Sequence, residues 1–368
     1  MTPKLRKALK TLGSMKLTIL CLSFLIVLVV LCTLDQVQLG TYGAVKRDIR
    51  SFFIFWTPHP GLKIPIFPGG ALIGLILLLN LIISHVTLLR ASPKKSGIWL
   101  THLGLIVLVL GEFATGMFSH ETHMAIEEGS SINYTEDTRR LELAIVETSL
   151  PDYNEVYSVP QSAVSKNGTT IEHPAWPFTL AVQRYYPNAG LSMTQGAGVT
   201  NAGIGAKAAL EPLAESASDD NPNQPAGIIE ITGQNQMLGT WLISTLIQEP
   251  QIFNVNGRTF TLALRPARHY LPFTIKLKDF RHDVYPGTDI PKNFSSLIKL
   301  LDPDHAQERD VLIYMNHPLR YRGLSFYQSS FGKNDTLSIF QVVKNPGRWL
   351  PYISFAMMTI GLIIQFLL

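Results

Sequence analysis

Four stretches of this 368-residue chain are almost entirely apolar, and segments with a polar or alternating pattern separate them. A bilayer core of about 30 Å needs about 20 apolar residues for one helix to cross it. By that test the predicted transmembrane helices are residues 17–34, 70–89, 98–118 and 349–368. The pattern predicts a membrane domain with three helices over 1–118, a large domain over 119–348, and a C-terminal transmembrane helix.

The large domain is predicted to be mainly β, because apolar and polar residues alternate along several of its segments. The apolar positions on one face are Leu271, Phe273, Ile275 and Leu277 in "LPFTIKLKDF", and Phe260, Leu262 and Leu264 in "RTFTLAL". Further strand candidates are "DVLIYMN", "LSFYQSS" and "LSIFQVV". Turn signals at "VNGR", "YPGTD" and "RYRG" separate these strands.

One segment of the large domain, residues 188–227, has a different composition. It is rich in Gly, Ala, Ser and Asn, and it has almost no aromatic residues. Such a segment buries too little apolar area to offset the entropy that is lost when it orders. We interpret it as a mobile insertion that divides the domain into an earlier lobe (119–187) and a later lobe (228–346). Its part "AKAALEPLAE" is also compatible with a short helix.

Lysine and arginine residues predict the orientation of the chain, because short cytoplasmic flanks carry an excess of them. Such residues are Lys4, Arg6, Lys7, Lys10 and Lys16 at the N-terminus, and Arg90, Lys94 and Lys95 between the second and third helices. Both flanks are therefore predicted to be cytoplasmic. The large domain of this multi-pass protein is then expected on the periplasmic or extracytoplasmic side of the inner (plasma) membrane. Lys46, Arg47, Arg50 and Lys63 point the other way, but the two inner flanks fit one topology.

Net charge and cysteine content argue against two classes of function. The net charge of +4 is modest and is concentrated at the membrane flanks, so we expect no nucleic-acid-binding surface. Cys21 and Cys32 both lie in the first predicted helix. They are about 16 Å apart along its axis, which is too far for a disulfide. Without a Cys-x-x-Cys motif, the chain is not expected to be a thiol oxidoreductase.

Three stretches of the sequence resemble the ResB family, which is also called CcsB. They are "WLTHLGLIVLVLGEF" in the third helix, "YPGTDIPKNFSS", and "RDVLIYMNHPLRYRGLSFYQSSF" before the last helix. The part Met315–Phe331 is long and irregular, so chance agreement with it would be rare. The layout of three helices, a large outer domain and one last helix also agrees with that family over the whole chain.

The resemblance implies a role in System II, the machinery that matures c-type cytochromes. Proteins of the ResB type work with a second membrane protein, ResC or CcsA. Together they carry haem across the membrane and join it to reduced Cys-x-x-Cys-His motifs of apocytochrome c. We therefore expect one subunit of a holocytochrome c synthase complex, not an enzyme alone, through which haem b passes. In fused relatives a CcsA-like half follows, and here we expect it to come from another chain.

Two histidines of the membrane domain, His102 and His85, are the candidate haem-binding residues. Each lies about 10 Å or less along its helix from the basic loop that joins the two helices. The link is short, so the helices are predicted to be antiparallel neighbours with both imidazoles near the cytoplasmic face. Imidazole is a strong axial ligand of haem iron, and His102 most resembles the family's membrane haem ligand. For His85, beside Asn80, Ser84 and Thr87, an interfacial or carbonyl-bonded histidine is an equally open interpretation.

Other polar residues leave alternatives open. Glu112 either pairs with a basic residue of a partner, lines a polar path, or is protonated within a helix bundle. His120 and His123, in "SHETH" just past the third helix, either approach haem as it leaves or form a solvated pair. Their spacing is not H-E-x-x-H, and the sequence indicates no third ligand. Tyr327 and Gln328 offer groups for a partner surface, whereas their motif is also compatible with a role in the core and turns.

A second function remains open from the sequence, namely a b-type electron-transfer subunit that holds a permanent haem between His85 and His102. Such subunits usually present two histidine pairs at two depths, so that electrons cross the bilayer. The membrane helices predicted here offer one inner pair. The sequence therefore favours a haem-handling subunit for cytochrome c maturation.

Overall fold

A computed structural model describes residues 3–59, 61–88, 93–194, 196–216, 218, 222–233, 236–288, 291–332 and 335–367. These residues divide between two compact units. Of the described residues, the first unit contains those before His120 and after Lys344 together with Ser218 and Pro222, and the second contains those of His120–Ser216 and Asn223–Lys344. Arg90 of the predicted cytoplasmic loop lies outside the described residues.

The first unit is mainly helical, and one short helix lies in the second unit. The helices are α1 (Pro3–Leu12), α2 (Met15–Ala44), α3 (Gly70–Ile83), α4 (Ser96–Phe118), α5 (Gln161–Val164) and α6 (Leu350–Leu367). Three described helical segments are long and apolar enough to cross a membrane, namely Arg6–Ile49, Pro93–Phe118 and Leu350–Leu367. The second predicted helix is the shorter apolar segment Gly70–Val86. The prediction of apolar helices beside a large β domain is confirmed.

The first long helix extends well beyond the predicted residues 17–34. It begins at Met15 after the N-cap residue Ser14, whose side-chain oxygen accepts a hydrogen bond of 3.3 Å from the amide of Leu17. It continues past Asp35, because a charged residue ends an apolar run without breaking a helix. The break comes at Gly40, where the backbone adopts a φ of 69° that glycine tolerates best. The end of the apolar run at Leu34 is therefore not the end of the helix.

Helices α4 and α6 pack closely along a seam of glycines. Gly97, Gly104 and Gly111 recur every seven residues on α4 and are all buried. A Cβ atom on Gly97 would lie only 2.5 Å from the carbonyl oxygen of Gly361. The hydroxyl of Ser354 donates a hydrogen bond of 2.8 Å to the carbonyl of Gly104. Small residues of this kind let helix backbones approach each other in a membrane.

A short hairpin of the first unit, formed by β1 (Phe53–His59) and β2 (Leu62–Pro68), lies between α2 and α3 in the chain. The other strands that the structure describes all lie in the second unit. They are β3 (His120–Glu127), β4 (Ser131–Glu147), β5 (Glu155–Pro160), β6 (Thr170–Ile171), β7 (Phe178–Tyr186), β8 (Ala189–Met193), β9 (Ala208–Pro212), β10 (Ala226–Gly233), β11 (Met237–Ser244), β12 (Gln251–Val255), β13 (Arg258–Val284), β14 (Pro291–Asp302), β15 (Gln307–Tyr314), β16 (Leu319–Tyr321), β17 (Leu324–Gly332) and β18 (Leu337–Lys344).

A ten-stranded antiparallel sheet dominates the second unit. Its order is β15-β14-β13-β4-β3-β18-β17-β16, with β12 added to β13 and β5 added to β4. A four-stranded sheet has the order β11-β10-β7-β6, and β8 pairs with β9. The predicted mainly β domain is thus confirmed.

Two predicted strands of this domain are one strand. Phe260 and Leu262 are buried, as are Phe273 and Ile275, so the predicted alternation holds in both segments. Both segments lie in β13, which is 27 residues long. The turn signal before β13 is also confirmed, because Asn256 takes the positive φ of 51°.

The prediction of two lobes separated by the insertion is wrong. The domain has two hydrophobic cores, and each contains residues from both sides of residues 188–227. The first core includes Leu143, Phe178, Ile229, Phe253 and Phe260, and the second includes Met124, Phe273, Ile298, Phe326 and Phe340. The division fails because the long strands β4 and β13 pair with each other along both cores.

The segment predicted as a mobile insertion contains a packed hairpin where the structure describes it. Strands β8 and β9 pair, and a 3₁₀ turn at Ile204–Lys207 lies between them. The side-chain oxygen of Asn201 accepts a hydrogen bond of 2.7 Å from the amide of Thr240. A Cβ atom on Gly203 would lie 2.6 Å from the ring of Trp241. The structure therefore does not support an unpacked insertion or a helix over 189–212. The segment packs because its small residues allow close approach to neighbouring strands.

Candidate functional site

His85 lies just beyond α3, in a π-helical turn formed by Ser84–Leu88. A π-helical turn contains an extra residue, which redirects the side chains that follow, and such turns are frequent at functional sites. The side chain of His85 is almost fully buried, with an exposed fraction of 5%. A buried histidine in an apolar helical unit needs either a hydrogen-bond partner or a ligand.

The structure brings His85 and His102 together. Their ring centroids are 6.2 Å apart, and their ring planes are inclined by 40°. His102 lies in the second turn of α4 and is half-buried. The two helices meet at the end that carries the basic residues of the connecting loop, as the short link predicted.

Both histidines have a buried nitrogen without a hydrogen-bond partner. The Nδ1 atoms of His85 and His102 and the indole Nε1 of Trp99 are all buried in this way. A buried polar atom without a partner costs about 1–3 kcal/mol. Three such atoms lie in one small region, which makes it the candidate binding site of the helical unit.

Trp99 is a site residue that the sequence interpretation missed. Its ring centroid lies 3.8 Å from that of His85, with the ring planes inclined by 53°. The signal was available, because Trp99 precedes His102 by three residues and residues three apart share a helix face. Its contact with His85 depends on the packing of two helical segments, which no local sequence pattern shows.

Asn80 does not form a polar group with His85, although both lie in the second apolar segment. Its side-chain oxygen accepts a hydrogen bond of 2.8 Å from Thr18. Its amide nitrogen donates to the carbonyls of Leu12, at 2.5 Å, and of Ser14, at 3.1 Å. These hydrogen bonds connect α3 to the junction of α1 and α2, and none of them involves His85.

Glu112 lies on the same helix as His102, and its side chain is exposed. Within the part of the chain that the structure describes, it takes part in no ion pair. Ten residues separate it from His102, so the two lie about 15 Å apart along the helix axis. Its suggested pairing with a partner protein stays a prediction.

His120 and His123 do not lie side by side, so the alternative of a pair formed by these two residues is wrong. Both residues lie in β3, where side chains three positions apart point to opposite faces. The ring nitrogen Nε2 of His120 lies 3.2 Å from Nε2 of His269. It also lies 3.5 Å from the carboxylate of Asp137. The sequence separation of these residues hid this cluster, which forms only when the strands pair.

The motif Met315–Phe331 has internal roles in the β domain. The side-chain oxygen of Gln328 accepts a hydrogen bond of 2.6 Å from Ser296, and its nitrogen donates at 3.1 Å to Ser338. Both serines are fully buried. Gln328 therefore satisfies buried groups of the β domain. Tyr327 keeps an exposed fraction of 37%, and its role in a partner surface stays a prediction.

Two residues of the same motif, Tyr321 and Arg322, bind a buried carboxylate at the end of β14. The side chain of Asp302 is fully buried. It accepts a hydrogen bond from the hydroxyl of Tyr321 and pairs with the guanidinium of Arg322 at 2.8 Å. Burial alone would raise the pKa of Asp302, but the hydrogen bond from Tyr321 and the charge of Arg322 hold that pKa below its usual value. The motif thus stabilises the edge of the large sheet.

Comparison with known proteins identifies the region that contains this motif. Residues 238–339 match the ResB-like family. This segment is a ResB-like region. It runs from β11 to β18 in the second unit, and it confirms the resemblance that the sequence motifs predicted. The candidate site at His85 and His102 lies outside the matched residues.

Two relatives illustrate what the chain is similar to. Protein NrfI of Wolinella succinogenes is 32% identical over 102 residues, which are 28% of this chain and 11% of that protein. The cytochrome c biogenesis protein Ccs1 of Heterosigma akashiwo is 27% identical over 128 residues, which are 31% of this chain and 29% of that protein. The chain thus spans less than a third of the length of either relative.

Proposed function

We propose that this ResB-like chain is a subunit of a cytochrome c maturation system and that it holds haem in transit through the membrane. The observation that carries the proposal is the placement of His85 and His102, with ring centroids 6.2 Å apart in the apolar unit. The name of the relative Ccs1 supports the maturation role. The assignment to System II rests on the motif resemblance.

The chemistry of the two histidines suits a haem that is cargo. A neutral imidazole nitrogen binds haem iron, and the apolar helices around it provide surface for the macrocycle. Among the described residues, none holds the Nδ1 atom of His85 or of His102 by a hydrogen bond. A ligand pair without such orienting partners binds a metal less firmly, which fits transfer better than permanent retention.

The alternative of a b-type electron-transfer subunit uses the same two histidines. It differs in the lifetime of the bound haem, since an electron carrier retains its haem through each redox cycle. Loss of haem from the purified protein to an added apoprotein acceptor separates the two functions. Rapid transfer supports the maturation subunit, and full retention supports the electron carrier.

We place the large β domain on the extracytoplasmic side, where apocytochrome c and a ResC- or CcsA-type partner would meet it. The basic flanks before α2 and before α4 support this orientation. Arg47, which argued against it, lies 2.9 Å from Asp48 and also pairs with Asp35. Its charge is therefore compensated locally. The exposed Glu112 on α4 is a candidate contact for the partner.

The test compares single histidine variants of the protein produced together with a ResC-type partner. The host has its own maturation system deleted, and the purified complex is examined by haem absorption spectroscopy. We expect His102→Ala and His85→Ala to lose most of the bound haem and of the cytochrome c yield. His59→Ala is the matched control, because this exposed histidine belongs to the same unit but lies in β1.

A chemical rescue makes the test specific for ligation. His102→Gly removes the imidazole and leaves space, so added imidazole should restore haem binding to that variant. Normal haem content in both His102→Ala and His85→Ala would remove the proposed site. Formation of cytochrome c without the partner protein would contradict the proposal that this chain is only one subunit of the maturation system.

A further inference from the structure

The second unit contains a cluster of three metal-ligating side chains that the proposed function does not use. His120, Asp137 and His269 each direct one donor atom to a common point, and the three atoms lie within 4.8 Å of one another. Among the described residues, it is the one group of three or more histidine, cysteine or acidic side chains with that spacing. We propose that it is a binding site for a divalent transition-metal ion, with zinc as the reference ion.

The distances between the donor atoms fit a tetrahedral ion. Nε2 of His120 lies 3.2 Å from Nε2 of His269 and 3.5 Å from Oδ2 of Asp137. Nε2 of His269 lies 3.7 Å from the same oxygen. Ligands of tetrahedral zinc at about 2.0–2.1 Å from the ion lie about 3.3 Å from one another. The three donors therefore already have the spacing of three corners of a zinc tetrahedron.

Asp137 is oriented for this role by the backbone. Its Oδ1 accepts hydrogen bonds from the amides of Arg139, at 2.9 Å, and Arg140, at 3.0 Å. Its Oδ2 is buried and has no hydrogen-bond partner, although the side chain is about 5% exposed. A buried carboxylate oxygen without a partner is costly unless a cation satisfies it. One oxygen thus fixes the carboxylate, and the other points at the two imidazoles.

The strand pairing explains how distant residues form the cluster. His120 begins β3, Asp137 lies in β4, and His269 lies in β13. The pairing of β3 with β4 is limited to Thr122 with Asp137 and His123 with Glu136. Register shifts in the pairing of β13 with β4 lie on both sides of His269. Irregular strand positions of this kind re-aim side chains and are common next to functional sites.

The donor set selects the class of ion. Two imidazoles and one carboxylate suit zinc, iron(II) or cobalt(II), whereas calcium and magnesium prefer sites made only of oxygen. The side chains of His120 and His269 are 39% and 45% exposed, so a fourth position faces solvent. Arg140 is the nearby competing cation, at 4.0 Å from Oδ2 of Asp137. Because its side chain is 77% exposed, it can turn into solvent when an ion binds.

The experiment uses the full chain in detergent. The protein is purified with an affinity tag that contains no histidine, and it is kept free of haem. Zinc binding is measured by equilibrium dialysis with metal analysis, and cobalt(II) absorption reports the coordination geometry. We expect the wild type to retain about one zinc ion with tetrahedral cobalt bands. His120→Ala, His269→Ala and Asp137→Asn should each lose that ion. His123→Ala should retain it, because His123 lies on the opposite face of the same strand.

Asp137→Asn decides the matter if a histidine variant fails to fold, since asparagine keeps the shape and the acceptor for the two backbone amides. The proposal is overturned if the wild type binds zinc no more strongly than the double variant His120→Ala/His269→Ala. The two imidazoles would then share a proton in a direct hydrogen bond. An equal loss in His123→Ala would also overturn it. The proposed haem function is independent, since zinc is titrated without haem.

Discussion

The indole ring of Trp99 lies against the imidazole of His85, with ring centroids 3.8 Å apart. Trp99 belongs to α4, and His85 lies in the π-helical turn after α3. The contact joins the two helical segments at the same end where His102 faces His85. A large aromatic ring therefore limits the orientations that the His85 imidazole can adopt.

Replacement of Trp99 tests whether this contact positions His85. Trp99→Phe keeps an aromatic ring against the imidazole, whereas Trp99→Ala removes it. We expect haem content to fall strongly in Trp99→Ala and only slightly in Trp99→Phe, with a shifted absorption maximum in the alanine variant. The absorption maximum reports the iron ligands, so a purely structural role would lower yield without moving it. Equal spectra in both variants would contradict positioning by Trp99.

The glycine seam between α4 and α6 gives a prediction with an internal control. Gly97→Ala would place a Cβ atom 2.5 Å from the backbone of Gly361 and Gln365. Overpacking of this kind costs about 1–3 kcal/mol. Gly116→Ala, on the same helix, meets nothing within 4 Å. It should be neutral or stabilising by about 0.5–1 kcal/mol, because alanine favours helices. The melting temperature in detergent should therefore fall for Gly97→Ala and stay the same or rise for Gly116→Ala.

The hairpin over 189–212 predicts a cost for changing its glycines. Gly203 has a φ of 64°, and a Cβ atom there would lie 2.2 Å from the side-chain oxygen of Gln251. Gly129 has a φ of 82° with open space around it. Gly129→Ala should cost about 1–2 kcal/mol from backbone strain alone. Gly203→Ala should cost clearly more in denaturant unfolding, and an equal cost would mean that the hairpin is not packed against Trp241.

Acid should weaken the β domain through Asp302. The folded state holds the pKa of Asp302 below its usual value, despite burial, through Tyr321 and Arg322. The carboxylate therefore stabilises the fold above the pKa of the unfolded chain, about 3.9. That stability is lost as the pH falls through the lower pKa of the folded state.

Melting temperatures measured between neutral pH and about pH 3 check this prediction. The wild type should melt at lower temperature in acid. Asp302→Asn should melt lower than the wild type at neutral pH and lose less on acidification. Asp304→Asn is the control, since the side chain of Asp304 is 64% exposed and lies 3.4 Å from Arg322. An acid response of Asp302→Asn equal to that of the wild type would assign the effect to other carboxylates.

The sequence by itself determined the elements whose signal is local. Apolar runs located the helices, because a bilayer imposes a length and a composition on any segment that crosses it. Period-two alternation located β13, β15, β17 and β18, since side chains of a strand alternate between two faces. The motif Met315–Phe331 indicated the ResB-like region, and the basic loop placed His85 and His102 at one end of their helices.

Only the tertiary structure decided the contacts between distant parts of the chain. Trp99 meets His85 across two helices, and His120 meets His269, which lies 149 residues further along the chain. The Gly- and Ala-rich segment, which composition suggested was mobile, packs because small residues allow close backbone approach to Trp241. Such contacts depend on which strands and helices become neighbours, and that choice is made by the whole core. No local sequence pattern determines which elements become neighbours. The sequence alone therefore does not predict the cluster of His120, Asp137 and His269.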